Sequence, residues 1–227
     1  MEKLKIVVKV EINTLLNTQN KFDKKRLEKL AMVLSNLMNS GEQVFVVSSG
    51  AIFLGSEKLG LTFQPGDLIK KQALAAIGQA ELMKYYRRYF NSFNQITAQV
   101  LLTGDVLNDQ VRKRNATHTL KNLMEKHVVP IINENDSVST EDIEWDDNYY
   151  MVKNVAEMVS AHAILVHLPP SGKYLLMTRG DQPVYQETED EQLIDNLTLM
   201  KKDFIQSRYL IQPFLDKSDF LQKLKKA

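Results

Sequence analysis

The chain has 227 residues, 44% hydrophobic and 25% charged, the composition of a globular protein with apolar material for one large α/β domain or two small ones. Its 29 basic and 28 acidic side chains leave a formal net charge of +1, which supplies no electrostatic basis for binding nucleic acid or an anionic membrane. The absence of cysteine excludes disulfides, thiolate catalysis and cysteine–zinc sites, and the sequence shows no metal-ligating cluster.

The opening MEKLKIVVKV joins basic residues to a short apolar run, without the longer apolar region and small-residue cleavage site of a signal peptide. No stretch approaches the roughly 18 apolar residues of a membrane span, so a cytoplasmic protein is the default expectation. The β-branched run Lys5–Val10 predicts a first strand. Asp23 is placed to cap a helix whose residues Leu27, Leu30, Val33, Leu34, Leu37 and Met38 follow helical spacing up to Gly41. A second apolar run at 44–47 ends in Ser48, Ser49 and Gly50. A long helix is expected over about 67–90, with Leu68, Leu74, Ile77, Leu82 and Met83 on its apolar side. Residues 96–102 and 128–132 read as strands around a helix near 116–125, and a further helix and the strand 163–168 follow the loop 133–148.

Strands alternating with helices imply a mostly parallel sheet covered on both faces, with ligands beyond the carboxyl ends of the strands. The loops that matter are then those after Val10, Val47, Leu102 and Ile132. From about Lys173 the chain changes to short apolar pieces, an acidic run at 187–191 and a basic end at 223–226, both read as solvated surface. No internal repeat, low-complexity segment or flexible linker is present.

Several stretches resemble gamma-glutamyl kinase (glutamate 5-kinase), of the amino-acid kinase family. They are KIVVKV, VSSGAI with Gly55 and Leu59-Gly60, QALAAIGQAELM (72–83), AQVLLT, and VVPIINENDSVST (128–140). Asp147-Asn148 falls where that family carries Asp-Asn-Asp. The resemblance runs over roughly residues 4–168. It implies a three-layer α/β sandwich with a mostly parallel sheet, a single domain over 1–227. The nucleotide-side half is expected to be shortened from about 169, and no RNA-binding-type C-terminal domain is expected.

The chemistry of those loops agrees with an amino-acid substrate. Asp136 offers a carboxylate to an ammonium, a charge-assisted contact. Ser49 and Gly50 open a helix after a strand, where backbone N–H groups and the dipole favour a carboxylate. Asn148 adds donors and an acceptor. The resemblance assigns Ser49, Gly50, Asp136 and Asn148 to glutamate binding. The plainer alternative leaves Asn133, Asn135 and Asp136 as makers of turn hydrogen bonds.

The phosphate side departs from the family. Lys9 holds the position of its first-strand lysine, or is an ordinary charged strand end. The next residue but one is Glu11, where the family has a glycine-bearing turn; this sets a negative charge where polyphosphate should approach backbone. Tyr149 replaces an orienting aspartate, and a phenol is uncharged near neutral pH. Pro169-Pro170-Ser171-Gly172-Lys173-Tyr174 keeps only the Gly and Tyr of a loop that normally carries two acids. The family's glycine-rich segment with Thr-Lys is not found; the nearest basic candidate is Lys201-Lys202, and the last glycine is Gly180.

These departures predict a pseudokinase that keeps a site for glutamate or proline and works in regulation or assembly of proline biosynthesis, as a homo-oligomer or beside a partner kinase subunit. No cofactor is then expected. The rival is an active glutamate 5-kinase using ATP and Mg2+ to make L-glutamyl 5-phosphate. A third possibility is an assembly subunit without ligand. The 72–83 block either mediates oligomerisation or packs in the core.

Overall fold

A computed structural model of the chain describes residues 3–61, 67–138, 148–168, 173–178 and 185–188. The β-branched segments supply the strands. β1 (Lys5–Val10), β2 (Gln43–Ser48), β3 (Ile96–Leu102), β4 (Val128–Glu134) and β5 (Ala163–Leu168) pair in parallel. β6 (Lys173–Thr178) and β7 (Tyr185–Thr188) then add antiparallel strands beside β5. The order β3-β4-β2-β1-β5-β6-β7 reverses direction about β1, which lies between β2 and β5. β1 and β2 are buried along almost their whole length, as strands covered on both faces must be. Pro130 has no N–H to give, and pairing of β4 with β2 begins at the next residue, Ile131 against Val46.

Six helices complete the described layers: α1 (Lys24–Asn39), α2 (Ala51–Leu59), α3 (Leu68–Asn91), α4 (Gly104–Asn108), α5 (Gln110–Glu125) and α6 (Asn148–Val159), with a 3-10 helix at Ile12–Leu15. The fold is thus the expected three-layer α/β sandwich with a mostly parallel sheet. Asp23 caps α1 by accepting from Lys25 N–H, and Asp67 caps α3 by accepting from Lys70 N–H at 3.0 Å. The apolar stripe of α1 is buried as its spacing predicts. Among the described residues no helix is long and apolar enough to cross a membrane.

Three local expectations differ. α5 begins at Gln110, six residues before the expected start, because it buries only Leu120 and Met124 and so carries almost no apolar rhythm. Ile77, expected on the apolar side of α3, is exposed, and the buried side runs through Leu74, Leu82, Tyr86 and Phe90 instead. β6 occupies what reads in the sequence only as a short apolar piece, and β7 reaches into the start of the acidic run read as solvated surface.

α2 and α3 approach to backbone contact. A Cβ on Gly78 would lie 1.6 Å from the Ala51 carbonyl oxygen, and one on Gly55 would lie 2.0 Å from the Leu74 carbonyl oxygen. Neither neighbour is a side chain that can swing away. Gly78→Ala should therefore destabilise the fold by about 1–3 kcal/mol or more, the usual range for overpacking. In a chain of this size that lowers the midpoint of thermal unfolding by several degrees, measurable by circular dichroism.

Candidate functional site

The carboxyl ends of the parallel strands gather most of the residues singled out in the sequence. Lys9 pairs in register with Val47 of β2 and Val166 of β5, at the centre of the sheet. Its buried ammonium forms an ion pair with the Glu11 carboxylate, which is 40% exposed. Glu11 itself adopts an ordinary extended backbone, φ −90° and ψ 149°, before the 3-10 helix.

The turn is held from two sides. Ile12 N–H donates to Ser49 Oγ at 3.0 Å, and Ser49 N–H donates to the Val10 carbonyl. Thr14 Oγ donates to the Glu11 carbonyl at 2.7 Å, so the 2.8 Å contact with His167 makes the His167 Nδ1–H the donor to Thr14. Ser49 keeps its own O–H as a donor, since Ile12 uses only the oxygen. Gly50 follows with φ +114°, a left-handed conformation that L side chains rarely adopt, and a Cβ there would meet Ile12 Cδ1 at 2.7 Å. Gly50 is therefore needed to turn from β2 into the first turn of α2.

A cleft of about 300 Å³ lies beside this turn, between α3 and the ends of β3 and β4. Ala51, Gln79, Leu101, Glu134, Asn135 and Asp136 are among its walls. Small side chains on α3, at Ala75, Ala76 and Ala80, leave the space open. The structure thus joins Asp136 and the start of α2 at one cleft, while Lys9, Glu11 and Ser49 stand outside its lining. Asn148 begins α6 with Tyr149. The side chains of both lie outside the described residues, as do Pro169 and Lys201.

Electrostatics distinguish the two regions. Burial pushes the Asp136 carboxyl above its ordinary range, and the Lys71 charge opposes this only in part. An ammonium delivered by a ligand would reverse that penalty. Lys9, by contrast, already has its counter-charge in Glu11.

The wall residue Gln79 and its neighbour Asn133 carry more than the sequence reading gave them. Asn133, buried at the end of β4, donates its Nδ2 to Gln79 Oε1 at 2.8 Å. Gln79 Nε2 is buried with no hydrogen-bond partner among the described residues, a condition that costs about 1–3 kcal/mol. The signal was the QALAAIGQ block itself: the glycine marks the helix crossing, and the next residue is the polar one the crossing buries.

A family model described as the Amino acid kinase family matches residues 5–167. Three relatives carry the name glutamate 5-kinase. That of Caldanaerobacter subterraneus subsp. tengcongensis is 44% identical over 163 residues, covering 72% of this chain and 44% of the relative. That of Thermoanaerobacter sp. (strain X514) is 38% identical over 195 residues, with 86% and 51% covered. That of Listeria innocua serovar 6a is 39% identical over 174 residues, with 75% and 63% covered. The chain spans about half the length of the curated relatives it matches. With its fold, its matched span and these relatives in agreement, the chain belongs to the amino acid kinase family, and its similarity lies with the glutamate 5-kinases.

Proposed function

We propose that the chain binds glutamate, or proline as a feedback ligand, and acts in regulation or assembly of proline biosynthesis with its phosphoryl-transfer half impaired. The observation that carries this reading is the Lys9–Glu11 ion pair. Phosphoryl transfer depends on positioned cations that neutralise the phosphates. Here the first-strand lysine is neutralised by a carboxylate two residues away, and that carboxylate remains beside any phosphate that displaces it. At about 4 Å the repulsion between unit charges is roughly 1 kcal/mol in bulk water and 4 at an effective dielectric of 20. Glu11 is partly exposed, so a value between these applies, and its midpoint already weakens polyphosphate binding by more than tenfold. Tyr149 in place of an acid, the Pro169 loop, and the lack of glycine around Lys201 add to the same reading.

The amino-acid half rests on Asp136, Ser49, Gly50 and Asn148, with Asp136 taking the ammonium. The second reading, an active phosphotransferase that uses ATP and Mg2+ to make L-glutamyl 5-phosphate, is favoured by the name the three relatives share. A subunit that binds neither amino acid is the third.

A coupled ADP-release assay with Mg2+ separates the first two. The native chain should turn over far below the roughly 10 per second typical of enzymes. Glu11→Gly should tighten ATP binding by removing the negative charge beside the phosphates, yet restore no turnover, because groups that act as one catalytic unit are strongly non-additive. Native turnover above about one per second that is lost in Lys9→Ala would establish the active kinase instead.

Asp136 gives a pH test. Its folded carboxyl titrates above its unfolded value, so the folded state holds the extra proton and stability falls as pH rises between the two values. The penalty is complete above the folded value and absent below the unfolded one, about 3.9. Asp136→Asn should raise the thermal midpoint of the ligand-free chain at neutral pH, with the gain vanishing below about pH 3.9. It should also abolish the stabilisation by millimolar glutamate or proline seen in the native chain.

For assembly, the outer face of α3 is the place to look. Ile69 is 81% exposed, Ile77 and Ile96 are also exposed, and β3 is only partly covered. We assign this face to contact with a second copy. Light scattering at micromolar concentration should give a multiple of the 26.0 kDa chain mass, reduced to one chain by Ile69→Glu with Ile77→Glu.

A further inference from the structure

We propose that Gln79 is a ligand-binding residue of the cleft, its side-chain amide donating to the carboxylate of the amino acid whose ammonium Asp136 accepts. The inference rests on the amino-acid-binding reading above and names a residue that reading leaves out.

Gln79 is 8% exposed and forms part of the cleft wall. Its Oε1 is fixed by the Asn133 amide at 2.8 Å, which leaves Nε2 as a buried donor without a partner among the described residues. Buried polar groups are rarely left this way, and a native exception calls for an account of what satisfies it. The wall around it is suited to an anion. Gly78 precedes Gln79 and presses against Ala51, the first residue of α2, so the start of α2 and the Gln79 amide belong to one corner. Gly50 caps α2 with no side-chain hydrogen bond, which leaves its first N–H groups to other acceptors.

The facing wall has the opposite character. Glu134 and Asp136 come from the end of β4, and burial already disfavours the ionised form of Asp136 until a cation arrives. Donors on the helix side and acceptors on the strand side separate charge across the cleft. An α-amino acid, with carboxylate and ammonium on one carbon, has the matching separation. About 300 Å³ lies at the small end of ligand sites and suits a single amino acid.

The test is calorimetric titration of the full chain with L-glutamate and with L-proline, on native protein and on Gln79→Met, Gln79→Glu, Asn133→Ala and Asp136→Ala. Thermal unfolding confirms that each variant folds. Gln79→Met keeps the volume and removes the donor; it should weaken binding of the preferred amino acid about tenfold or more. Gln79→Glu puts an acceptor where the donor stood and should weaken it further. Asn133→Ala, which keeps the Gln79 amide, should weaken it less than either. If Gln79→Glu binds as well as the native chain, the donor role is overturned. If Asn133→Ala matches the whole loss in Gln79→Met, Gln79 acts only by holding Asn133, and the contact is overturned. Native protein that binds neither amino acid overturns the amino-acid reading and this contact with it; native binding that survives both Gln79 variants but not Asp136→Ala overturns the contact alone. The native chain also gives a reading without substitution: L-glutamate or L-proline should shift a slowly exchanging glutamine side-chain amide resonance in 15N spectra, and no such shift counts against the contact.

Discussion

Two helices reach backbone contact only where side chains are missing, and α2 and α3 meet that way. Gly55 faces the Leu74 carbonyl and Gly78 faces the Ala51 carbonyl, each closer than any Cβ could be accommodated. The crossing sets where α2 begins, and with it the left-handed Gly50 and the Ser49 hydroxyl. It also sets Gln79 against the end of β4 through Asn133. The cleft is therefore a by-product of helix packing: its helix-side wall is made of the small residues that let α3 lie close, and of the one amide that the crossing buries.

The same packing links the two halves of the site. Ser49 accepts from Ile12 N–H, so the start of α2 and the turn bearing Glu11 share a hydrogen bond. His167 on β5 holds the other side of that turn through Thr14, whose hydroxyl bonds the Glu11 carbonyl. The Lys9–Glu11 pair thus sits in a turn tied to strands on both sides of β1, and its geometry belongs to the folded state rather than to a wandering surface side chain. A change in how α2 seats would be felt at Glu11 through one bond.

How much of this could be read from the residues varies with how strongly each element is buried. β1, β2 and α1 have nearly continuous or regularly spaced apolar residues because they lie in the core, and their limits come out within a residue or two. α5 lies at the margin and buries two side chains, so its first turns, Gln-Val-Arg-Lys-Arg-Asn, carry no periodic signal; only Asp109, which accepts from Arg112 N–H, marks its start. β6 was missed although Pro169-Pro170-Ser171-Gly172 before it is turn chemistry between two apolar runs. At the site, the resemblance pointed to Asp136 and Ser49, and the family's glycine-bearing turn, together with the charge, marked Glu11 as a departure. That Glu11 pairs with Lys9 required the structure, because side chains two apart on an ideal strand share a face but a turn decides whether they meet. Gln79 was visible as a member of a block, yet its unpaired donor is a property of three elements together and of no one of them.

Glu11 lies in ordinary extended backbone just before the 3-10 helix. Its φ of −90° and ψ of 149° are open to every L-residue, so this turn makes no conformational demand for glycine. A glycine there would gain freedom only in the unfolded chain. Position 11 is consequently a place where the sign of the local field can be exchanged while the path of the main chain stays the same. In an ancestral or engineered series, substitutions here would alter what anion the strand end tolerates without registering as a change of fold.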